Sequence, residues 1–144
     1  MQFKYKTKPY AHQEDALQRS YNKKNYAYFM EMGCGKSKVL IDNIYWLWQQ
    51  KEIDTAIIVA PKGVYMNWKN SELPIHLPDD IDADIYLWKA NPTINEKKKL
   101  SEGVIKRDKF RILLMNVESF VTKKAPMFLE SFTHRSEFML AIDE

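Results

Sequence analysis

The sequence predicts an α/β fold, a three-layer sandwich in which helices cover both faces of a mainly parallel sheet. Three observations predict it. Short runs rich in β-branched and aromatic residues alternate with segments of helical periodicity. One of these runs, Thr55-Ala56-Ile57-Ile58-Val59-Ala60, is continuously apolar, the pattern of a strand buried on both faces of a parallel sheet. A Gly-Lys-Ser sequence at 35–37 stands between an aromatic strand-like run and an apolar helix-like run, the strand–loop–helix context of a phosphate-binding loop.

The elements follow in order. His12 to Tyr21 reads as a helix, with Ala16, Leu17 and Tyr21 at helical spacing. Tyr26-Ala27-Tyr28-Phe29 reads as a short aromatic strand. Ser37 to Gln50 reads as a helix whose apolar face carries Val39, Leu40, Ile44, Leu47 and Trp48. After the 55–60 strand, Pro61 and Gly63 close the run. Val64 to Glu72 is a short helix and Pro74 to Asp82 a loop. Ala83 to Trp88 is a strand. A helix runs from Thr93 to about Ile105, with Thr93 as N-cap and Glu96 three residues on. Phe110 to Met115 is a strand. Glu118 to Phe132 divides into a short helix, a loop around Ala125-Pro126 and a second helix. Phe138 to Ile142 is the last strand. Alternating strands and helices imply right-handed crossovers.

The chain has 144 residues, one domain's worth, and a chain of this size buries roughly 70% of its unfolded surface. Hydrophobic residues make up 45% and aromatic residues 13%, which excludes a disordered chain. A net charge of +3 permits an anionic partner without demanding one. One cysteine excludes an internal disulfide framework and fits a reducing compartment. The basic start at Lys4, Lys6 and Lys8 has no apolar run behind it, and no stretch approaches a membrane span. A soluble protein is expected, cytoplasmic or nucleoid-associated, or within the host cell for a viral chain.

The loop Met30-Glu31-Met32-Gly33-Cys34-Gly35-Lys36-Ser37 keeps the second half of the phosphate-loop pattern, with Met30 where the strict pattern has glycine. Its glycines let backbone N–H groups approach phosphate oxygens, and the following helix adds its N-terminal dipole. Met32, Gly33, Cys34, Gly35, Lys36 and Ser37 are the expected nucleotide contacts. Lys36 would reach the β- and γ-phosphates, and Ser37 would sit on Mg²⁺. The plain alternative is a tight glycine-rich turn with a solvated lysine. Hydrolysis also needs an acid on the metal and a group to orient water. Asp143 and Glu144, at the end of an apolar strand, supply these residue types. His12, His76 and His134 lack metal-ligand spacing. Trp46, Trp48, Trp68 and Trp88 are expected to pack in the core rather than stack on bases. Lys97-Lys98-Lys99 is expected on a solvated helix face.

Taken in order, these motifs resemble the first motor lobe of superfamily two helicases and translocases, and within them the Swi/Snf-like ATPases. The loop at 30–37 is similar to that family's motif I, where the first glycine is commonly absent. Ile57 to Trp68, with Ala60-Pro61 and Asn67-Trp68, resembles motif Ia. Pro9-Tyr10-Ala11-His12-Gln13 resembles the upstream glutamine motif. Leu114 to Ser119 resembles motif Ib, with departures at Asn116 and Val117. Ile142-Asp143-Glu144 resembles the opening of motif II. The resemblance implies a RecA-like P-loop NTPase lobe binding ATP and Mg²⁺, with Lys36, Asp143 and Glu144 catalytic and Ser37 and Asp143 on the metal. It implies that the Gln13 amide reads adenine, with Tyr10 or Tyr5 stacking on the base. Lys62, Asn67, Asn116 and Ser119 would meet DNA, double-stranded in this family, through its phosphates.

The same resemblance implies that the lobe stops after its motif II strand and lacks both a motif III strand and a second lobe carrying an arginine finger. A sheet left open in this way is expected to self-associate through its edge or to join a complementary chain. Activity as an ATP-dependent DNA helicase or translocase is then expected only with the second lobe present, and weak MgATP binding without it. The competing expectation is a noncatalytic fragment or split-gene product whose value lies in assembly.

Overall fold

The computed structural model describes residues 3–22 and 35–143. The expected strand Tyr26–Phe29, the loop residues Met30 to Cys34 (with Met32 and Gly33) and Glu144 lie outside the described residues. Among the described residues the elements are α1 (Ala11–Ser20), α2 (Lys36–Gln49), β1 (Thr55–Ala60), α3 (Lys62–Asn67), a π-helical turn (Trp68–Glu72), α4 (Leu73–His76), β2 (Ala83–Leu87), α5 (Ile94–Ile105), β3 (Phe110–Asn116), a 3₁₀ turn (Val117–Val121), α6 (Lys124–Thr133) and β4 (Phe138–Ile142). The four strands form one parallel sheet in the order β2-β3-β1-β4.

β1 takes a central position because all six of its residues are apolar or small and all are buried. Ile57 stands opposite Leu113 of β3 and Leu140 of β4, and Val59 opposite Met115 and Ile142. Alternation along β1 sends Ala56, Ile58 and Ala60 to one layer with Leu40, Ile41 and Ile44 of α2, and with Trp68 and Leu73. It sends Ile57 and Val59 to the other layer with Leu100 of α5 and Ala125 and Phe132 of α6. The three-layer α/β sandwich is therefore present. A third cluster, Phe3, Leu17 and Val39, seats α1 and the N-terminal segment against α2.

Two boundaries differ from the sequence reading. Helical backbone continues from Lys62 to His76, past the expected end at Glu72 and through Pro74. Proline has no N–H to give the preceding turn. Here that turn is widened: the Leu73 N–H donates to Trp68 O, five residues back, and Pro74 follows immediately. The expected loop at Ala125-Pro126 is instead the first turn of α6, where a missing N–H costs nothing. The capping box of α5 forms as expected: the Glu96 N–H donates to Thr93 Oγ1 at 3.2 Å and the Thr93 N–H to Glu96 Oε1 at 3.0 Å.

β4 pairs with β1 alone among the described residues. Its inward residue Ala141 is buried, while Phe138, Leu140 and Ile142 are 45%, 49% and 60% exposed. These three apolar side chains form one exposed row on β4. No helix among the described residues is long and apolar enough to cross a membrane.

Candidate functional site

Parallel strands end together, so Ala60, Asn116, Ile142 and the loops behind them share one edge of the sheet. Ligands of open α/β sheets bind outside this carboxyl edge. α2 precedes β1 through the short turn at 50–54 and packs antiparallel to it. Its N-terminus, with Lys36 and Ser37, therefore lies at the same edge. Gly35 caps α2 with φ of 75°, a left-handed conformation that glycine adopts without cost. A Cβ there would also collide with the Gln13 amide nitrogen.

Gln13 is 5% exposed, and it joins the start of α1 to the cap of α2. Its Oε1 accepts from the Tyr10 N–H at 2.8 Å and its Nε2 donates to Gly35 O at 3.4 Å. Of the two candidate stacking rings, Tyr10 is 71% exposed and lies parallel to the His12 ring at 5.9 Å. Tyr5 is packed beside Phe3, with the Lys38 ammonium 5.1 Å from its ring centre.

Asp143 extends β4 by one residue, its N–H donating to Val59 O at 2.7 Å. Its Oδ2 accepts from the Trp68 indole N–H at 3.0 Å. Glu72, one helical turn beyond Trp68, has its carboxyl pushed above the ordinary range by burial and then by the charge of Asp143. Glu72 lies 3.6 Å from His76 Nε2, and His76 is lowered by burial and then by the Lys38 charge. Lys38 is paired with Asp42 at 2.9 Å, both buried. A line of ionisable groups thus runs from the first turns of α2 across α4 to the end of β4.

The loop after β1 and the loop after β3 meet through Glu118, whose carboxylate accepts the Lys62 N–H at 2.8 and 3.2 Å and caps α3. Lys62 and Asn67 are exposed and Asn116 is half-buried at the end of β3. Ser119 is buried, and its hydroxyl donates to Asn116 O at 2.7 Å, so it fastens the turn that carries Asn116. Trp68 and Trp88 are buried, Trp46 packs on Phe3 and Trp48 on Tyr45. Lys97 to Lys99 are exposed on α5.

The donor chemistry at this edge, a hydroxyl at Ser37 and carboxylates at Asp143 and Glu72, suits a hard divalent cation. No cluster of three or more His, Cys, Asp or Glu side chains able to hold a metal exists among the described residues. Such donors fit Mg²⁺ shared with a phosphate ligand, which needs only one or two carboxylates, and not an all-protein metal cage. A separate cleft of about 340 Å³, lined by Lys51, Arg107 and Lys109 among others, opens at the opposite edge of the sheet. Two of its basic groups are bonded within the protein: Arg107 donates to Ser136 Oγ at 3.0 Å, and Lys109 pairs with Asp82 at 3.4 Å.

Sequence reasoning missed that Trp68 and Glu72 face Asp143, one through a hydrogen bond and the other through charge. Their spacing of four on one helix was visible, but nothing local announces a partner 75 residues away.

No family model and no curated protein matches the chain. A solved structure of the Sulfolobus solfataricus SWI2/SNF2 ATPase core in complex with double-stranded DNA is similar, with a TM-score of 0.62 at 15% identity. The likeness covers 97% of this chain and 32% of that one. The chain therefore spans about a third of that structure's length. At this identity the likeness speaks for the fold, and the fold of this chain is that of a RecA-like, P-loop-type α/β lobe.

Proposed function

We propose that this chain is the ATP-binding part of an ATP-dependent DNA helicase or translocase, requiring a second lobe for motor activity. One observation supports this reading above the others. The left-handed Gly35 cap with Lys36 and Ser37 lies at the same sheet edge as Asp143, whose charge reaches Glu72. In this reading the α2 N-terminus and Lys36 bind the β- and γ-phosphates, and Ser37 and Asp143 hold Mg²⁺. Bound Mg²⁺ neutralises charge developing on the transferred phosphoryl group. Met32, Gly33 and Cys34 complete the cradle, and Glu144 orients the attacking water. Gln13 sets the position of the base, and Tyr10 offers the ring for stacking.

DNA enters the reading through the solved likeness, which holds double-stranded DNA, and through the chemistry of the neighbouring loops. Lys62, Asn67 and Asn116 carry donors suited to phosphate oxygens, and Ser119 holds the Asn116 turn in place. A second reading, a noncatalytic chain that assembles with a complementary one, is favoured by the exposed Phe138, Leu140 and Ile142 row. It predicts association with no response to ATP.

Titration calorimetry separates the two. The wild-type chain binds MgATP weakly and Lys36→Ala abolishes the heat of binding. Equal affinity in both proteins contradicts the site.

A further inference from the structure

Trp68 has no exposed surface, so its indole fills the core between β1 and α2 as a large apolar side chain should. Its one donor is spent in an unusual way. A buried indole N–H needs an acceptor, and the acceptor here is the Asp143 carboxylate at 3.0 Å. A bond to an ionised acceptor is about twice as strong as a neutral one and fixes the direction of the carboxylate. Oδ2 is the acceptor, so Oδ1 keeps its lone pairs for another ligand.

The backbone under Trp68 is also special. The π-helical turn runs from Trp68 to Glu72, and π-bulges are rare and gather at functional sites. The widened turn carries both side chains whose influence reaches Asp143, Trp68 by hydrogen bond and Glu72 by charge. Asp143 follows β4 and is half-buried, and among the described residues the hydrogen bond to its side chain comes from Trp68.

We infer that Trp68 is a positioning residue for the Mg²⁺-nucleotide site: its indole N–H holds one oxygen of Asp143 and leaves the other for the metal and its water. The inference rests on the nucleotide reading above. Trp68 touches neither nucleotide nor metal and acts through Asp143 alone. Partners that orient a metal-binding carboxylate typically contribute about 10- to 100-fold in metal affinity.

The test uses the full chain and a non-hydrolysable ATP analogue, titrated with Mg²⁺ and again in EDTA. The wild type gains affinity when Mg²⁺ is present. Trp68→Phe keeps an aromatic core and loses the N–H. Its affinity in EDTA is unchanged, and its Mg²⁺-dependent gain is lower by about 10-fold. A gain of wild-type size in Trp68→Phe overturns the positioning role and leaves the nucleotide site standing. A wild type with no Mg²⁺-dependent gain overturns the nucleotide reading, and the inference with it.

Should Trp68→Phe fail to fold, ¹⁵N spectra of the folded wild type and of Asp143→Asn decide. One indole N–H resonance shifts in Asp143→Asn, and the same resonance shifts when Mg²⁺ and the analogue are added together, but not in EDTA. Four indole resonances indifferent to both changes overturn the inference.

Discussion

Asp42 illustrates how a single side chain in this fold carries a measurable charge effect. It lies on α2 with 3% of its surface exposed, and its Oδ1 has no hydrogen-bond partner. Burial outweighs the Lys38 hydrogen bond and charge, so its carboxyl rises from 3.8 to about 6. A carboxyl raised on folding binds its proton more tightly in the native state. Its contribution to stability is therefore full below 3.8, the ordinary value, and lost as the pH rises from there through about 6. Compared with Asp42→Asn, the wild type is more stable at about pH 4.5 than at about pH 7, by about 2 kcal/mol. Denaturant titrations at the two pH values measure this, and a pH-independent difference between the proteins contradicts it.

Little of this was legible in the sequence, where Lys38 and Asp42 look like an ordinary surface pair four residues apart. Other residues were equally silent. Arg111 sits in an apolar strand, 2% exposed, and donates to Gly103 O, Phe132 O, Thr55 Oγ1 and Ser136 Oγ. Gly103 looks like a helix weakness, but a Cβ there would press on the Tyr86 ring at 2.8 Å. Each role depends on residues far apart in sequence that only the folded topology brings together. The turn at Gly35 and the start of α2 were legible because a glycine before an apolar helical run marks such a cap, and Gly35 takes the left-handed conformation there.

Among the elements, β1 and β3 were plain in the sequence because their continuous apolar runs suit strands buried on both faces, and β4 was legible as a short apolar run although its outer row is exposed. The α3–α4 run was misjudged because Pro74 signals a stop, and the π-helical turn that lets helical backbone pass it has no sequence signature of its own. β4 carries a consequence at this scale. Three apolar side chains on one exposed row of β4, which pairs with β1 alone among the described residues, are a template for further pairing and packing. The chain is expected to associate as its concentration rises, and Leu140→Glu to shift it toward the monomer. Sedimentation velocity reads both, and a wild type that stays monomeric at every concentration contradicts the expectation.

At the scale of the whole molecule, two sheet edges offer places for an anionic ligand, and chemistry favours one. The opposite edge has a cleft, but Arg107 and Lys109 there are already bonded within the protein. The carboxyl edge gathers a helix N-terminus, Lys36, a hydroxyl and two carboxylates along a line of coupled charges. The solved likeness supports this architecture as a fold, over a third of its own length. Mapping the bound nucleotide on the whole chain by ¹⁵N–¹H NMR tests the central claim most directly. With MgATP added, the largest shifts fall on Gly35, Lys36, Ser37 and Asp143, and the Trp68 indole N–H moves with them. Shifts concentrated instead at Lys51, Arg107 and Lys109, with the Gly35–Ser37 amides unmoved, would contradict the assignment of the site.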